Sequence, residues 1–334
     1  MEVTKIDKEN MRAVIMASAG QLKDGWDLAK NIKTNGSFSN VVICGIGGSA
    51  LPADLINALA LPTIPMYIHR DYNLPKQANG KSLVICISYS GNTEEVISAF
   101  HQALDKKLTI IGLASGGKLA QMCQEQGLPL TTIPGGIQPR CATGYIFSAL
   151  AAILSNSGII SDMSADILKT SQMLEDMNAS SETSGKALAK KLVKKVPIIY
   201  SSENLSSVAK IWKIKFNENS KIPAFYNSFP ELNHNEMVGY EGVKNAKAQN
   251  LHVITLRDSE SHPRVLKRME LTAKLIETSG LSHDFVEVGG NSPIQKLFST
   301  LLLGDWVSYY LALEYGIDPT PVKIVEEFKK ELLK

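Results

Sequence analysis

The chain has 334 residues, 44% hydrophobic and 20% charged, enough for two domains with ordinary cores. Thirty-five basic side chains against thirty-three acidic ones leave a net charge of +2 without basic blocks, which argues against nucleic acid or a membrane surface as the main partner. Four scattered cysteines (Cys44, Cys86, Cys123, Cys141) show no metal-ligand spacing and suit a reducing cytosol. The polar N-terminus does not read as a signal peptide, and no apolar run is long enough to span a bilayer.

Residues 10–35 read as an amphipathic helical lead-in. Strands are expected at 40–44, 65–68, 83–87, 108–113 and 130–133. Helices are expected between them, from 51 to about Ala60, from 93 to 104 and across 118–126, and an apolar helix at 143–154 follows. Residues 155–195 are rich in Ser, Asp, Glu, Lys and Met and read as a helical connector. Alternation resumes with strands at 196–202, 251–256 and 283–288, a short extended piece at 224–227, and helices at 204–220, 263–279, 297–314 and 325–333. Strands that alternate with helices imply right-handed crossovers and parallel sheets covered on both faces. The expected organisation is α/β: one doubly wound lobe over 1–154 with its lead-in, the connector, and a second lobe over 196–334 with a terminal helix.

Residues 83–95, LVICISYSGNTEE, organise the rest. A β-branched apolar run changes at once into Ser88, Tyr89, Ser90, Gly91, Asn92 and Thr93, and a helix follows. Hydroxyls and backbone N–H groups at a helix N-terminus form an anion site, because those N–H groups lack partners and the helix dipole is positive there. An ordinary turn with one capping hydroxyl would explain one of the three hydroxyls, not all. The glycine-rich GIGGSA at 45–50 also fits a dinucleotide pattern, with Asp71 as the ribose-binding acid. The reading preferred is that Gly47, Gly48 and Ser49 join Ser88, Ser90 and Thr93 around a sugar phosphate beyond the carboxyl ends of the strands. Arg140, after Gly-Gly-Ile-Gln-Pro, is placed to meet a phosphate or a developing oxyanion.

In the second half, Phe216–Lys221 (FNENSK) leads to a polar stretch, PELNHNE, at 230–236. His234 is the candidate proton carrier near neutral pH, and Glu218, Glu231 and Glu236 are the candidate bases. The remaining histidines, His69 and His101 among them, read as structural.

Taken together, GIGGSA, SYSGNTEE, GGIQPR, FNENSK, PELNHNE and DPTPV resemble the bifunctional phosphoglucose/phosphomannose isomerase family, a branch of the sugar isomerase (SIS) domain superfamily. The likeness runs in order from about Val41 to Lys334. The resemblance implies two SIS-type lobes and an isomerase linking glucose 6-phosphate and mannose 6-phosphate with fructose 6-phosphate, with no metal or redox cofactor. It assigns the 6-phosphate to Ser49, Ser88, Ser90 and Thr93 with backbone N–H groups at Gly47 and Gly48. Arg140 would stabilise the enediolate, and Glu218 would be the C1/C2 base. His234 would open the sugar ring from the partner subunit of a homodimer. Lys329, or adjacent Lys330, would assist at the ring oxygen, and Thr320 would help both epimers fit. A non-catalytic sugar-phosphate sensor on the same fold is the alternative.

Overall fold

The computed structural model describes residues 3–59 and 61–332. The expected helix ends at Ala60 and Leu333 lie outside the described residues. The chain forms two compact bodies: one spans Ala17–Asp176, and the other takes the chain up to Met16 and from Met177 on. The boundary falls inside one long helix, Ser164–Lys191, which occupies most of the stretch expected to connect the lobes.

The first body is built on five parallel strands: β1 (Asn40–Cys44), β2 (Met66–His69), β3 (Ser82–Ser88), β4 (Thr109–Ala114) and β5 (Leu130–Thr132). Their order is β2-β1-β3-β4-β5. β1 and β3 are buried along their whole length, as uncharged runs in the middle of a doubly covered parallel sheet must be. One face packs Val42, Cys44, Val84, Cys86 and Ile110 against Val96, Phe100 and Ala103 of the helix Glu94–Asp105. The helices Gly20–Ala29 and Leu51–Ala58 pack on the apolar helix Thr143–Asn156. In this strand order the connection reverses direction between β1 and β3, and the crevice beyond their carboxyl ends is the place where such sheets bind ligands.

The second body has four parallel strands, β6 (Val196–Ser202), β7 (Phe225–Phe229), β8 (Leu251–Arg257) and β9 (Ser282–Glu287), in the order β7-β6-β8-β9. The extended piece expected at 224–227 is therefore a paired edge strand. Tyr200, Phe229, Leu232, Val253, Met269 and Ile276 form the core on one face. The helix expected at 297–314 begins a turn earlier, at Pro293, where the Ser292 side chain accepts from Gln295 N–H and proline occupies the first turn. Residues before Met16 belong with this body because Asp7 is buried in it. Its carboxylate accepts from Tyr309 OH at 3.0 Å and from Met11 N–H at 2.7 Å. Arg12 adds a two-pronged bond to Glu182 at 2.7 and 2.8 Å.

Candidate active site

Each body carries its own part of the predicted residue set. In the first, the loops after β1 and β3 meet side by side. Ser49, buried in the tight turn Gly47–Ser49, accepts from Tyr89 N–H at 3.0 Å. Ser88 Oγ lies 2.8 Å from Thr93 Oγ1 and accepts from Thr93 N–H at 3.4 Å. Thr93 occupies the N-cap position of Glu94–Asp105 in extended conformation, yet its side chain makes no capping bond. The hydroxyl that ordinarily covers the helix N-terminus is turned back to Ser88, so the first N–H groups keep no side-chain cap. Ser90 is exposed at the rim, accepting from Asn92 N–H at 3.3 Å.

Two glycines let these loops approach. At Gly91, φ is +71°, and a Cβ would sit 1.8 Å from Gly116 O. That contact seats the loop against the next helix, whose Leu119 N–H reaches Gly91 O at 2.8 Å. At Gly48 a Cβ would meet Pro139 C at 2.8 Å and Arg140 N at 2.9 Å. Gly48 is thus where the GIGGSA turn rests directly on the segment Pro139–Cys141 that carries Arg140. Arg140 is 1% exposed and donates to Gln138 Oε1 at 3.4 Å. Gly47, Gly48, Ser49, Ser88, Thr93 and Arg140 therefore belong to one cluster of loops at the switch point, with Ser90 on its edge.

Sequence reasoning passed over Tyr89. Its hydroxyl donates to Pro134 O at 3.1 Å and accepts from Ile137 N–H at 3.2 Å, and its carbonyl accepts from Ser115 Oγ at 2.6 Å. It ties the arginine loop to the hydroxyl loop, and burial holds its phenol above the ordinary range. The available signal was a large aromatic residue inside an otherwise small, polar loop.

In the second body the predicted residues lie on three separate elements. The helix expected over 204–220 is α-helical across Ser206–Lys215 and then widens into a π turn, Phe216–Ser220, which holds Glu218 half-buried. Such turns recur at functional positions. Asn219 Nδ2 donates to Ser308 Oγ at 3.0 Å and Ser220 Oγ to Ser308 O at 2.7 Å, fixing the turn on the helix Pro293–Glu314. Lys221 follows with left-handed φ +58°. Its ammonium donates to Glu218 O and, at 3.0 Å, to Pro319 O. The DPTP stretch with buried Thr320 is thereby drawn to the Glu218 turn, an arrangement that sequence spacing does not reveal.

His234 ends the short turn Glu231–His234 after β7 and is exposed. Glu231 and Glu236 both accept hydrogen bonds, Glu231 from Asn235 at 2.7 Å, and Glu236 from Tyr200 OH and Asn227 Nδ2, each at 2.5 Å. Lys329 and Lys330 lie on the terminal helix Lys323–Leu332, exposed throughout its described residues. His69 Nε2 lies 3.3 Å from Tyr72 O, and His101 packs edge-on to Phe100.

A family model, the bacterial phospho-glucose isomerase C-terminal SIS domain, matches residues 181–332. Among solved structures, a hypothetical protein from Thermus thermophilus superposes over 98% of this chain and 92% of its own with a TM-score of 0.72 at 14% identity, a likeness of fold. Two parallel sheets with helices on their faces and this match define an SIS-domain protein of sugar-phosphate metabolism. A bifunctional phosphoglucose/phosphomannose isomerase of Caldicellulosiruptor bescii is 39% identical over 327 residues, 93% of this chain and 96% of that one. The chain belongs to the phosphoglucose/phosphomannose isomerase family, a group of phosphosugar isomerases. A D-glucosamine-6-phosphate 4-epimerase of Sulfolobus acidocaldarius is also similar, 28% identical over 91% of this chain and 92% of its own.

Proposed function

We propose that the protein interconverts glucose 6-phosphate and mannose 6-phosphate with fructose 6-phosphate through an enediolate. The observation that carries this reading is the uncapped helix at Thr93. Its hydroxyl pairs with Ser88 at the switch point, so a phosphate can take the helix N–H groups, flanked by Ser49, Ser88, Ser90 and Thr93 and by the backbone at Gly47 and Gly48. Neutral donors suit a phosphoryl end that must be gripped but not altered.

Binding energy from that end orients the sugar for chemistry at its other end. His234, supplied by the partner subunit of a homodimer, moves the ring proton to open the pyranose. Lys329 is assigned to the ring oxygen on the family resemblance alone. Glu218 takes the proton from C2 of the open aldose and returns it to C1, while the hydroxyl proton on O2 passes to O1 and the carbonyl moves from C1 to C2. Arg140 meets the negative charge that exists only in the enediolate. A planar enediolate can be reprotonated at C2 from either face, which lets one site serve both epimers. Atoms balance with proton transfers alone, and the three buried, free cysteines fit work in a reducing cytosol. Among the described residues, no helix is long and apolar enough to cross a membrane.

The test is a coupled assay for fructose 6-phosphate from each aldose phosphate, with and without chelator, and with glucosamine 6-phosphate to probe the epimerase-like alternative. Glu218→Gln is expected to lose about 10²–10⁴-fold in kcat while still binding the sugar phosphate. Turnover of neither aldose by the unmodified enzyme, with binding retained, would favour a sensor.

A further inference from the structure

His234 is exposed and its imidazole makes no hydrogen bond to any described residue, but the residues around it are clamped. On one side, Asn233 donates to Thr272 Oγ1 at 2.8 Å and accepts from Arg268 at 3.3 Å, both on the helix Pro263–Thr278. On the other side, Asn235 donates to Glu231 at 2.7 Å and accepts from Glu236 N–H at 2.6 Å. Glu236 reaches down to the sheet. One carboxylate oxygen accepts from Tyr200 OH of β6 and the other from Asn227 Nδ2 of β7, at 2.5 Å each.

The proton count fixes the direction of this chain. A carboxylate only accepts, so the single phenolic proton of Tyr200 goes to Glu236. Tyr200 also meets the hydroxyl of Tyr240. Tyr240 must then donate to Tyr200. Tyr240 lies in the turn Glu236–Gly242, which begins at Glu236, so the chain closes on the same loop. Tyr200 is fully buried and Tyr240 is 5% exposed. Burial above all raises both phenols, Tyr240 to about 12, so both stay protonated donors across the working pH range.

We propose that Glu236 is a positioning residue for His234: the Tyr240–Tyr200–Glu236–Asn227 chain locks the loop to the sheet and so sets where the imidazole is presented. This rests on the ring-opening role given to His234 above. A charged acceptor is needed because both partners are donors. Glutamine keeps one acceptor and turns an amide N–H against either a phenol or an amide.

The readout is anomerisation, which needs ring opening and closing but no C2 proton transfer. It is followed as exchange between the α and β anomers of glucose 6-phosphate by NMR, in a Glu218→Gln background that cannot isomerise. Added His234→Gln should abolish it; full retention would overturn the role of His234 itself. Added Glu236→Gln should slow it about 10²-fold, the order expected for misplacement of a reacting group, with sugar-phosphate affinity within about twofold. Wild-type exchange in Glu236→Gln while His234→Gln is inactive overturns the positioning role. So does a loss that appears only as weaker substrate binding. If Glu236→Gln does not fold, Tyr200→Phe removes one donor without unpairing a charge; it should slow exchange in the same direction, and unchanged exchange would overturn the proposal.

Discussion

Gly48 is the sharpest point at which the fold can be tested against function. Its φ lies outside the left-handed region, so alanine carries no backbone penalty there and the whole effect is contact. The added Cβ falls 2.8 Å from Pro139 C and 2.9 Å from both Pro139 O and Arg140 N. These are backbone atoms that cannot rotate away, and the closest is about 0.6 Å short of ordinary contact. The turn Gly47–Ser49 and the segment Pro139–Cys141 must therefore separate by roughly that distance. Overpacking of this kind costs about 1–3 kcal/mol of stability, a fall of several degrees in the unfolding midpoint. It also moves Ser49 relative to Arg140, and at about 10²-fold per ångström of misplacement kcat/KM should fall by roughly tenfold or more. The coupled isomerase assay and a thermal scan measure both. Gly135→Ala is the control, because its Cβ meets only the Ser115 side chain at 3.6 Å. Wild-type kcat/KM in Gly48→Ala, or equal losses in the two variants, would refute the claim that the two loops are set by this contact.

Lys215 is 4% exposed in its side chain and pairs with Asp305, 15% exposed. Lys215→Met, which leaves the carboxylate without its lysine, should cost about 3–5 kcal/mol in urea unfolding, and adding Asp305→Leu should recover much of it. His252, 2% exposed, is held below the ordinary imidazole range by burial, with Lys195 and Lys191 adding to the effect and Asp284 at 3.0 Å opposing it. His283 is shifted in the same direction, also by burial. Above the unfolded value near 6.5 both states are neutral and stability is complete. As pH falls through 6.5 the unfolded chain binds protons first, so stability declines until the folded pKa is reached and then levels off. His252→Gln should flatten this decline in midpoints scanned from about pH 8 to about pH 5, by up to ~1.4 kcal/mol per pH unit; an unchanged slope would remove His252 from the account.

Much of this molecule is written locally. β1, β3 and β6 are apolar runs whose burial on both faces follows from having no charge to keep wet. The hydroxyl loop announces itself because three hydroxyls exceed what one helix cap needs. Proline and serine mark the start of Pro293–Glu314, although periodicity alone places it a turn late. The widening of 216–220 into a π turn is not legible locally, because it is imposed by Asn219 and Ser220 bonding a helix some ninety residues on.

The sequence by itself determined the alternation of strands and helices and marked the two polar loops after β1 and β3, since these depend on neighbours a few residues apart; it offered Glu218, Glu231 and Glu236 as candidate bases without choosing among them. Only the tertiary structure decided that Thr93 turns from its helix to Ser88, that Gly48 must be bare because Pro139 and Arg140 rest on it, and that Glu236 is spent on Tyr200 and Asn227. The Gly48 and Glu236 contacts join segments distant in sequence. The Ser88–Thr93 pair is close in sequence, but its loop is seated by Gly116, Gly117 and Leu119 behind β4. A side chain's partner is fixed by which atoms the fold brings within about 3 Å, and spacing along the chain does not carry that distance.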